Sequence, residues 1–363
     1  MKPDVLVSAP ALTAAVAAIF CSAGSDAREA GLVAGNLVEA NLKGHDSHGV
    51  GMIPRYVDSI KEGGLTVNAH AAITGDAGAL VTVNGNQGYG QVVAREAIEF
   101  GVARARQIGT CIVGLANAHH IGRIGAWAEQ AAAQGLVSVH FVNVMARAIV
   151  APWGGRDSRH GTNPFCVGIP RQDDAPVILD FATSRIAQGK TRVAYNRGES
   201  LKPGMLIDDR GEPTTDPRYA VVEPVGAILP FGEHKGSGLA FICEILGGAL
   251  AGGLTWHPQE GQRDGGGRRQ IINGMLSILI DPARLGTSAN LYTELEAFIA
   301  WFKASPPDAY AGEVQIAGEP ERRTMQQRLA TGIPIDANSW EEILSAAEKT
   351  GIKRTELVQI AGV

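Results

Sequence analysis

Apolar residues recur at helical spacing at the start of the chain. Leu12, Val16, Ile19 and Phe20 share one face of residues 9–22, and Leu32, Val33, Leu37 and Ala40, with Asn36 among them, share one face of residues 26–43. Asp26 three positions before Glu29 is a capping-box signal for the second segment. A helical pattern resumes at Ile53 with Pro54 in its first turn. Residues 71–84 then alternate as strands do, and a glycine-rich turn leads to a helix over about 91–107. Apolar runs at 111–115, 136–144, 162–170 and 177–184 predict strands, with a helix through about Gln134 between the first two. Residues 195–225 are polar and carry Pro203, Pro213, Pro217 and Pro224, which reads as an excursion or a lid. An apolar helix follows to about Ala251, then a flexible glycine-rich loop over 253–270 and a strand over 273–281. Helices are expected at 290–304, after the turn at 317–320, and from a Ser339-x-x-Glu342 cap to about Thr350 as the last element. Strands interleaved with helices indicate the α/β class.

Composition narrows this picture in three ways. A chain of 363 residues is long enough for two or more lobes. The formal net charge is -5 with no lysine or arginine run, so neither nucleic acid nor an anionic membrane is expected as a partner. Cys21, Cys111, Cys166 and Cys243 lie in apolar settings without C-x-x-C spacing, and read as buried free thiols in a reducing, cytoplasmic compartment. The apolar run at 11–20 after Lys2 faintly resembles a signal peptide. Asp4 offsets the positive charge, the run is rich in alanine, and its large side chains fit one helix face, so a helix is expected instead. No run reaches the roughly 18 apolar residues of a membrane span.

The candidate chemistry lies in three glycine-flanked histidine turns, each at an element end. The first is Gly44-His45-Asp46-Ser47-His48-Gly49. Here His45 and Asp46 read as a helix cap and a turn residue, while Ser47 and His48 can bond a substrate oxygen and His48 can exchange a proton with it. Downstream, Arg55 is either a carboxylate clamp or a surface arginine, with Tyr56 beside it. The second turn, His119-His120-Ile121-Gly122-Arg123-Ile124-Gly125, feeds a helix N-terminus, where free N–H groups suit an anion, and His120 is a second acid/base or binding candidate. The third, Glu233-His234-Lys235-Gly236, opens another helix. Asp180 at a strand end is costly to bury unless paired or functional. Gly85 to Gly90 lacks the spacing of a dinucleotide fingerprint, and Gly189-Lys190-Thr191 lacks the first glycine of a P-loop because Ser184 stands there. No zinc spacing and no nucleophile elbow occur. The residues alone indicate an α/β enzyme that uses histidine acid/base chemistry on a small anion.

Together these stretches resemble the type II malate/L-lactate dehydrogenase family of NAD(P)-dependent oxidoreductases. The likeness rests on Gly-His-Asp-Ser-His-Gly at 44–49, Asn-Ala-His-His-Ile-Gly at 117–122, Pro-Trp-Gly-Gly at 152–155, Gly-Thr-Asn-Pro-Phe at 161–165, Leu-Asp-Phe-Ala-Thr-Ser at 179–184 and Glu-His-Lys-Gly at 233–236, in that order. The longer forms look most like the hydroxycarboxylate dehydrogenase B branch. The resemblance implies a non-Rossmann α/β (α+β) fold: a helical domain from both chain ends (1–75 with 285–363) and a mixed α/β cofactor domain (76–284) with a largely antiparallel sheet. It implies a homodimer and hydride transfer between NAD or NADP and C2 of a 2-hydroxy or 2-oxo acid. By resemblance His48 is the acid/base, Ser47 holds the oxygen, and His120 either helps bind substrate or takes the proton role. The cofactor contacts implied are His48, Gly122, Arg123, Ile124, Ile178, Leu179, Asp180, Phe181, Ala182, His234, Lys235, Asn273, Ala317, Gly318 and Glu319, with no metal. Many relatives carry arginine four residues after the histidine, where this chain has Met52. That departure suggests a bulky or aryl 2-oxo acid, with Arg55 and Tyr56 as substrate contacts. The alternatives are malate or lactate, a cyclic imine acid of the Δ1-piperideine-2-carboxylate type, and a non-catalytic small-anion binder.

Overall fold

The computed structural model describes residues 4–257, 271–308 and 312–363. Most of the glycine-rich loop expected at 253–270, including 265–269, and Lys2 fall outside the described residues. The first elements are β1 (Val5–Val7), α1 (Ala9–Ser22), α2 (Ala27–Leu42) and α3 (Ile53–Lys61). The α2 helix starts where the sequence places it, because the Asp26 carboxylate accepts from the Glu29 N–H at 2.7 Å. Glu29 does not complete a capping box; its carboxylate accepts instead from Ser25 and from the Asn68 backbone. Next come β2 (Ala72–Ala77), β3 (Leu80–Asn84), α4 (Gly90–Ile108), β4 (Thr110–Ala118), α5 (Gly125–Ala132), β5 (Val137–Met145), β6 (Phe165–Ile169) and β7 (Val177–Phe181). After them run α6 (Gln188–Arg197), β8 (Leu206–Ile207), β9 (Pro213–Thr214), β10 (Ala227–Ile228), α7 (His234–Glu244) and β11 (Ile272–Ile280). The chain closes with α8 (Pro282–Leu285), α9 (Ser288–Lys303), α10 (Glu319–Thr331), β12 (Ile333–Ile335), α11 (Ala337–Thr350) and α12 (Arg354–Ala361).

Seven strands form the main sheet in the order β2-β3-β4-β11-β5-β6-β7. Only β3 and β4 pair in parallel; the other neighbours are antiparallel. The sheet is therefore mixed and largely antiparallel, as the resemblance implies. Its core gathers Val93, Ile98, Leu115, Trp127, Met275 and Leu279. A second core joins the two ends of the chain: Leu12, Phe20, Leu37 and Ile53 pack with Trp340, Ile343 and Leu357. The strand pair β1–β12 ties the same ends together, Val5 opposite Ile335. Residues 11–20 belong to this core as part of α1, with Leu12, Val16, Ile19 and Phe20 buried.

Four expectations are corrected. Cys21 is exposed, since it lies on the far side of α1 from the buried face; Cys111, Cys166 and Cys243 are buried as expected. The polar stretch after residue 195 is a small three-stranded sheet, β10-β8-β9, closed over Val150, Leu206 and Ile228. The cap of α11 is Asp336, which accepts from the Ser339 N–H, so Ser339 lies inside the first turn. The chain also has one more helix, α12, beyond the expected last element. Among the described residues no helix is long and apolar enough to cross a membrane.

Candidate active site

The first histidine turn folds as two short 3-10 turns, Asp46–His48 and Val50–Met52, between α2 and α3. Asn41, in the last turn of α2, organises it. Its amide nitrogen donates to Asp46 at 2.6 Å and its carbonyl accepts from the Val50 N–H at 2.7 Å. Asp46 is locked further by Arg328 of α10, at 2.5 and 3.0 Å. Asp46 thus has the structural role the sequence suggests, but His45 does more than cap: it meets Glu321 at 3.3 Å on a cavity wall. Gly49 backs directly onto Asn41, where a β-carbon would fall 2.0 Å from the amide oxygen. Gly49→Ala should therefore cost about 1–3 kcal/mol as the turn is forced off Asn41. Thermal unfolding checks this, and an unshifted midpoint would show that the turn does not depend on this contact.

That turn brings His48 against His120. The two rings stack with centroids 5.6 Å apart. Ser47 Oγ lies 2.9 Å from His48 Nδ1. Burial lowers the His48 pKa to about 4, with His45 and Arg123 adding to the effect, so the imidazole is neutral at neutral pH. On the other side Tyr56 reaches His120 Nδ1 at 2.6 Å, and Gln91 donates to the Tyr56 hydroxyl at 2.7 Å. Tyr56 has no exposed surface, and its hydroxyl meets His120 and Gln91. Arg55 is half-buried and close enough to His119 to disfavour a charge there, secondary to burial. Met52 packs against the helical core.

A cavity of about 540 Å³ takes His45 of the first turn and Arg123 of the second into its walls, but neither His48 nor His120 lines it. Its walls carry Arg123, Ile178, Asp180 and Gly318, four residues implied as cofactor contacts, together with His45 and Lys43. Asp180 accepts from the Gly125 N–H at the start of α5, at 2.7 Å, while burial pushes its carboxyl above the usual value. Gly318 takes φ +93 and sits against Ile178, whose N–H donates to Ala317. Glu319 is turned to Lys303.

Other expected contacts are not part of this cavity's lining. Gly122, with φ +70, backs onto Asn36 and Gln91, and Ile124 is part of the sheet core. Asn273 is buried; its carbonyl accepts from the Ile121 N–H at 3.0 Å and so holds the chain beside His120. Leu179 is exposed, and Phe181 packs edge-on against Phe165 and Phe231. His234 and Lys235 are exposed at the start of α7, after Glu233 at the uncommon φ of +60.

Three participants were not singled out from the sequence. Glu129 on α5 binds Arg123 at 2.5 Å and Lys43 at 2.6 Å, joining α5 to α2. Gly189, at the start of α6, rests on Ser47, where a β-carbon would come within 2.4 Å of the serine side chain. Gln91 completes the chain to His120. Their one shared sequence signal is that Gly189 and Gln91 each lie in the first turn of a predicted or rejected motif helix; the pairings themselves join positions far apart. Among the described residues no group of three or more potential ligands could hold a metal ion.

The profile of the family described as malate/L-lactate dehydrogenase matches residues 7–344. Hydroxycarboxylate dehydrogenase B of Escherichia coli (strain K12) is 49% identical over 342 residues, covering 94% of this chain and 93% of that protein. A solved structure from E. coli, provisionally named a malate/lactate dehydrogenase, superposes with a TM-score of 0.93 at 47% identity and 99% coverage of both chains. The structure of Δ1-piperideine-2-carboxylate reductase from Pseudomonas syringae pvar. tomato superposes with a TM-score of 0.82 at 30% identity, over 94% of this chain and 99% of that one.

Proposed function

Because the chain belongs to the malate/L-lactate dehydrogenase family, we propose that it transfers a hydride between a nicotinamide cofactor and C2 of a 2-hydroxy or 2-oxo carboxylic acid. The observation that carries this reading is the stacked His48–His120 pair, on the same two turns that send His45 and Arg123 into the cavity wall with Ile178, Asp180 and Gly318. The cavity volume falls in the range of about 300–1,000 Å³ usual for small-molecule sites, and Lys43, Arg123, Arg171 and Arg322 in its walls, set among five carboxylates, are the groups that can meet an anionic cofactor. When bound, NAD or NADP supplies or accepts the hydride. The protein's own residues bind the acid and move the proton. His48 exchanges the proton with the C2 oxygen, Ser47 positions that imidazole and the oxygen, and Arg55 lies where a cation can favour a carboxylate. Arg123, the 178–182 strand end, the 317–319 turn and His234-Lys235 are proposed to hold the cofactor. Gly122, Ile124 and Asn273 support it from behind.

A neutral resting His48 is ready to accept a proton. The kcat/KM for hydroxy-acid oxidation should therefore stay level through pH 6.5 and decline only towards a pKa of about 4. In the reverse direction kcat/KM should fall as pH rises from the same value. A pH–rate profile with its acid limb at an ordinary histidine value would contradict the buried, neutral state.

Met52 removes a cation from the turn, and we propose a bulky or aryl 2-oxo acid over malate. The assay is loss of nicotinamide absorbance with NADH and then NADPH, across a panel of 2-oxo acids and one cyclic imine. Turnover of an alkyl or aryl 2-oxo acid is expected. Turnover of the imine alone would move the chain to the second reading, imine reduction, which the fold match to a named reductase favours. No cofactor binding at all would sink both.

We also propose a division into a helical domain, 1–75 with 285–363, and a cofactor domain, 76–284, on the ground of the two separate cores. A homodimer is proposed because Phe298, Trp301 and Phe302 on α9 and Phe241 on α7 are exposed apolar surface for a partner to cover. The unpaired thiols fit a cytoplasmic setting.

A further inference from the structure

We propose that Arg328 is a positioning residue: from α10 it holds Asp46, and so sets the turn that carries Ser47 and His48 at a fixed place relative to β7. This rests on the reading of that turn as part of the active site.

The turn has little of its own to hold it. It consists of two three-residue 3-10 turns, neither with a side-chain cap, and the Asp46 side chain keeps half of its surface exposed. Hydrogen bonds in such turns are poorly aligned. What lies alongside is α10. The Thr324 methyl sits where a β-carbon on Gly44 would meet it at 3.1 Å. Glu321 meets His45 at 3.3 Å. Arg328 donates to both carboxylate oxygens of Asp46, at 2.5 and 3.0 Å, and to the Asn41 carbonyl. Positions 321, 324 and 328 follow helical spacing, so one face of α10 supports residues 44, 45 and 46 in succession.

The polarity of these contacts is fixed. Arginine can only donate. The other partner of Asp46 is the Asn41 amide, and the backbone sets its orientation: the Val50 N–H donates to Oδ1, which leaves Nδ2 facing Asp46. The two-oxygen grip on Asp46 needs the planar fork of a guanidinium, which lysine lacks.

The opposite end of α10 is fastened to β7. Arg322 donates to the Pro176 carbonyl at 3.1 Å, and the Ile178 N–H donates to Ala317 at 3.3 Å. Ile178 and Asp180 of β7 line the cavity with Gly318, Glu321 and Arg322. From Gly318 to Arg328 the helix rises about 15 Å. The helix is therefore a strut of set length between the cavity wall and the turn that presents His48. Arg328 and Asp46 do not line the cavity, so they act through the turn.

The test compares full-length Arg328→Ala and Arg328→Lys with Arg354→Ala, which removes an arginine bound to Glu341, Glu348 and Ser345. The first readout needs no activity. In protein labelled with 15N-histidine, the His48 signals, assigned by their loss in His48→Gln, should shift or broaden in Arg328→Ala. Guanidinium ion, added well below its denaturing range, should return them. The His140 signals, from a ring held between Ser138 and Ser277, should stay in place. The second readout is the rate. In Arg328→Ala kcat should fall about 10–100-fold, the cost of moving a reacting group by about an ångström, with cofactor affinity little changed. Guanidinium should recover part of that kcat, Arg328→Lys should be intermediate, and Arg354→Ala should match the unmodified protein with or without guanidinium. Because Arg328 and Asp46 act as a unit, adding Arg328→Ala to Asp46→Ala should cost no further rate. His48 signals unmoved in Arg328→Ala overturn the proposal, and so does a rate loss that guanidinium leaves unchanged and that adds to the loss in Asp46→Ala. If Arg328→Ala does not fold, the His48 signals and kcat of Arg328→Lys decide in the same way. If the signals behave as expected while every 2-oxo acid assay is silent, the substrate reading fails and the positioning role stands.

Discussion

Replacing His48 by alanine is expected to lower kcat by about 10²–10⁴-fold, the usual contribution of a positioned acid/base, with cofactor affinity changed far less. The reason is geometric. His48 is held between Ser47 and the His120 ring. The cavity walls implied in cofactor binding, Arg123, Ile178, Asp180 and Gly318, come from the segment before α5, from β7 and from the turn before α10, and His48 does not line that cavity. Stopped-flow hydride transfer and a fluorescence titration of the cofactor separate the two effects. Turnover within tenfold of the unmodified enzyme would show that His48 is not the acid/base, and His120 would take the role.

Removing Glu129 should produce the largest loss of stability, about 3 kcal/mol or more. Arg123 is 3% exposed and Lys43 is little more accessible, and both direct their charge at this one carboxylate. Burial pushes the Glu129 carboxyl up, but Arg123 and Lys43 pull it further down, so it stays ionised across the neutral range. Without it Arg123 keeps Asp180 nearby and Glu39 at 3.9 Å, which already serves Lys43. Glu129→Ala leaves Arg123 and Lys43 without their shared carboxylate, whereas Glu129→Gln keeps an acceptor and should lose less. The measurement is the urea midpoint at constant slope. Equal midpoints for alanine and glutamine would show that packing, not charge, is what Glu129 supplies. Cofactor affinity should fall in both variants, since Arg123 lines the cavity.

Most of the element order was legible because the long helices and sheet strands carry their period openly. The α2 helix shows its cap at Asp26 and its face at Val33 and Leu37, and β5 and β11 are mostly apolar. What was missed is short or ambiguous. Strands of two residues, β8 to β10, have no alternation to read. Asp336 and Ser339 are both good cap residues three positions apart, and only the backbone decides between them. The exposed Cys21 shows that an apolar neighbourhood in sequence is not a buried one when the helix turns the residue outward. The site divides along the same line. Its histidine turns are local and were readable, as was the cost of burying Asp180. The partners of those residues were not: Gln91 meets Tyr56 across 35 positions, Tyr56 meets His120 across 64, and Lys43 meets Glu129 across 86. No periodicity encodes such pairs, and the burial of Tyr56 is likewise a tertiary fact.

The pairing of β1 with β12 has a consequence for biosynthesis. Val5 leaves the ribosome long before its partner Ile335 is made. Domains tend to form as units during synthesis. The seven-stranded sheet, contained within residues 72–280, can close in the interval. The apolar faces of α1 and α2 cannot, because Trp340, Ile343 and Leu357 that cover them are not yet present. The nascent chain therefore carries a sticky segment until α11 and α12 have been made. Stalled or truncated products should be the form that chaperones hold, and His48, at the end of that segment, reaches its place beside His120 only after the final helices arrive.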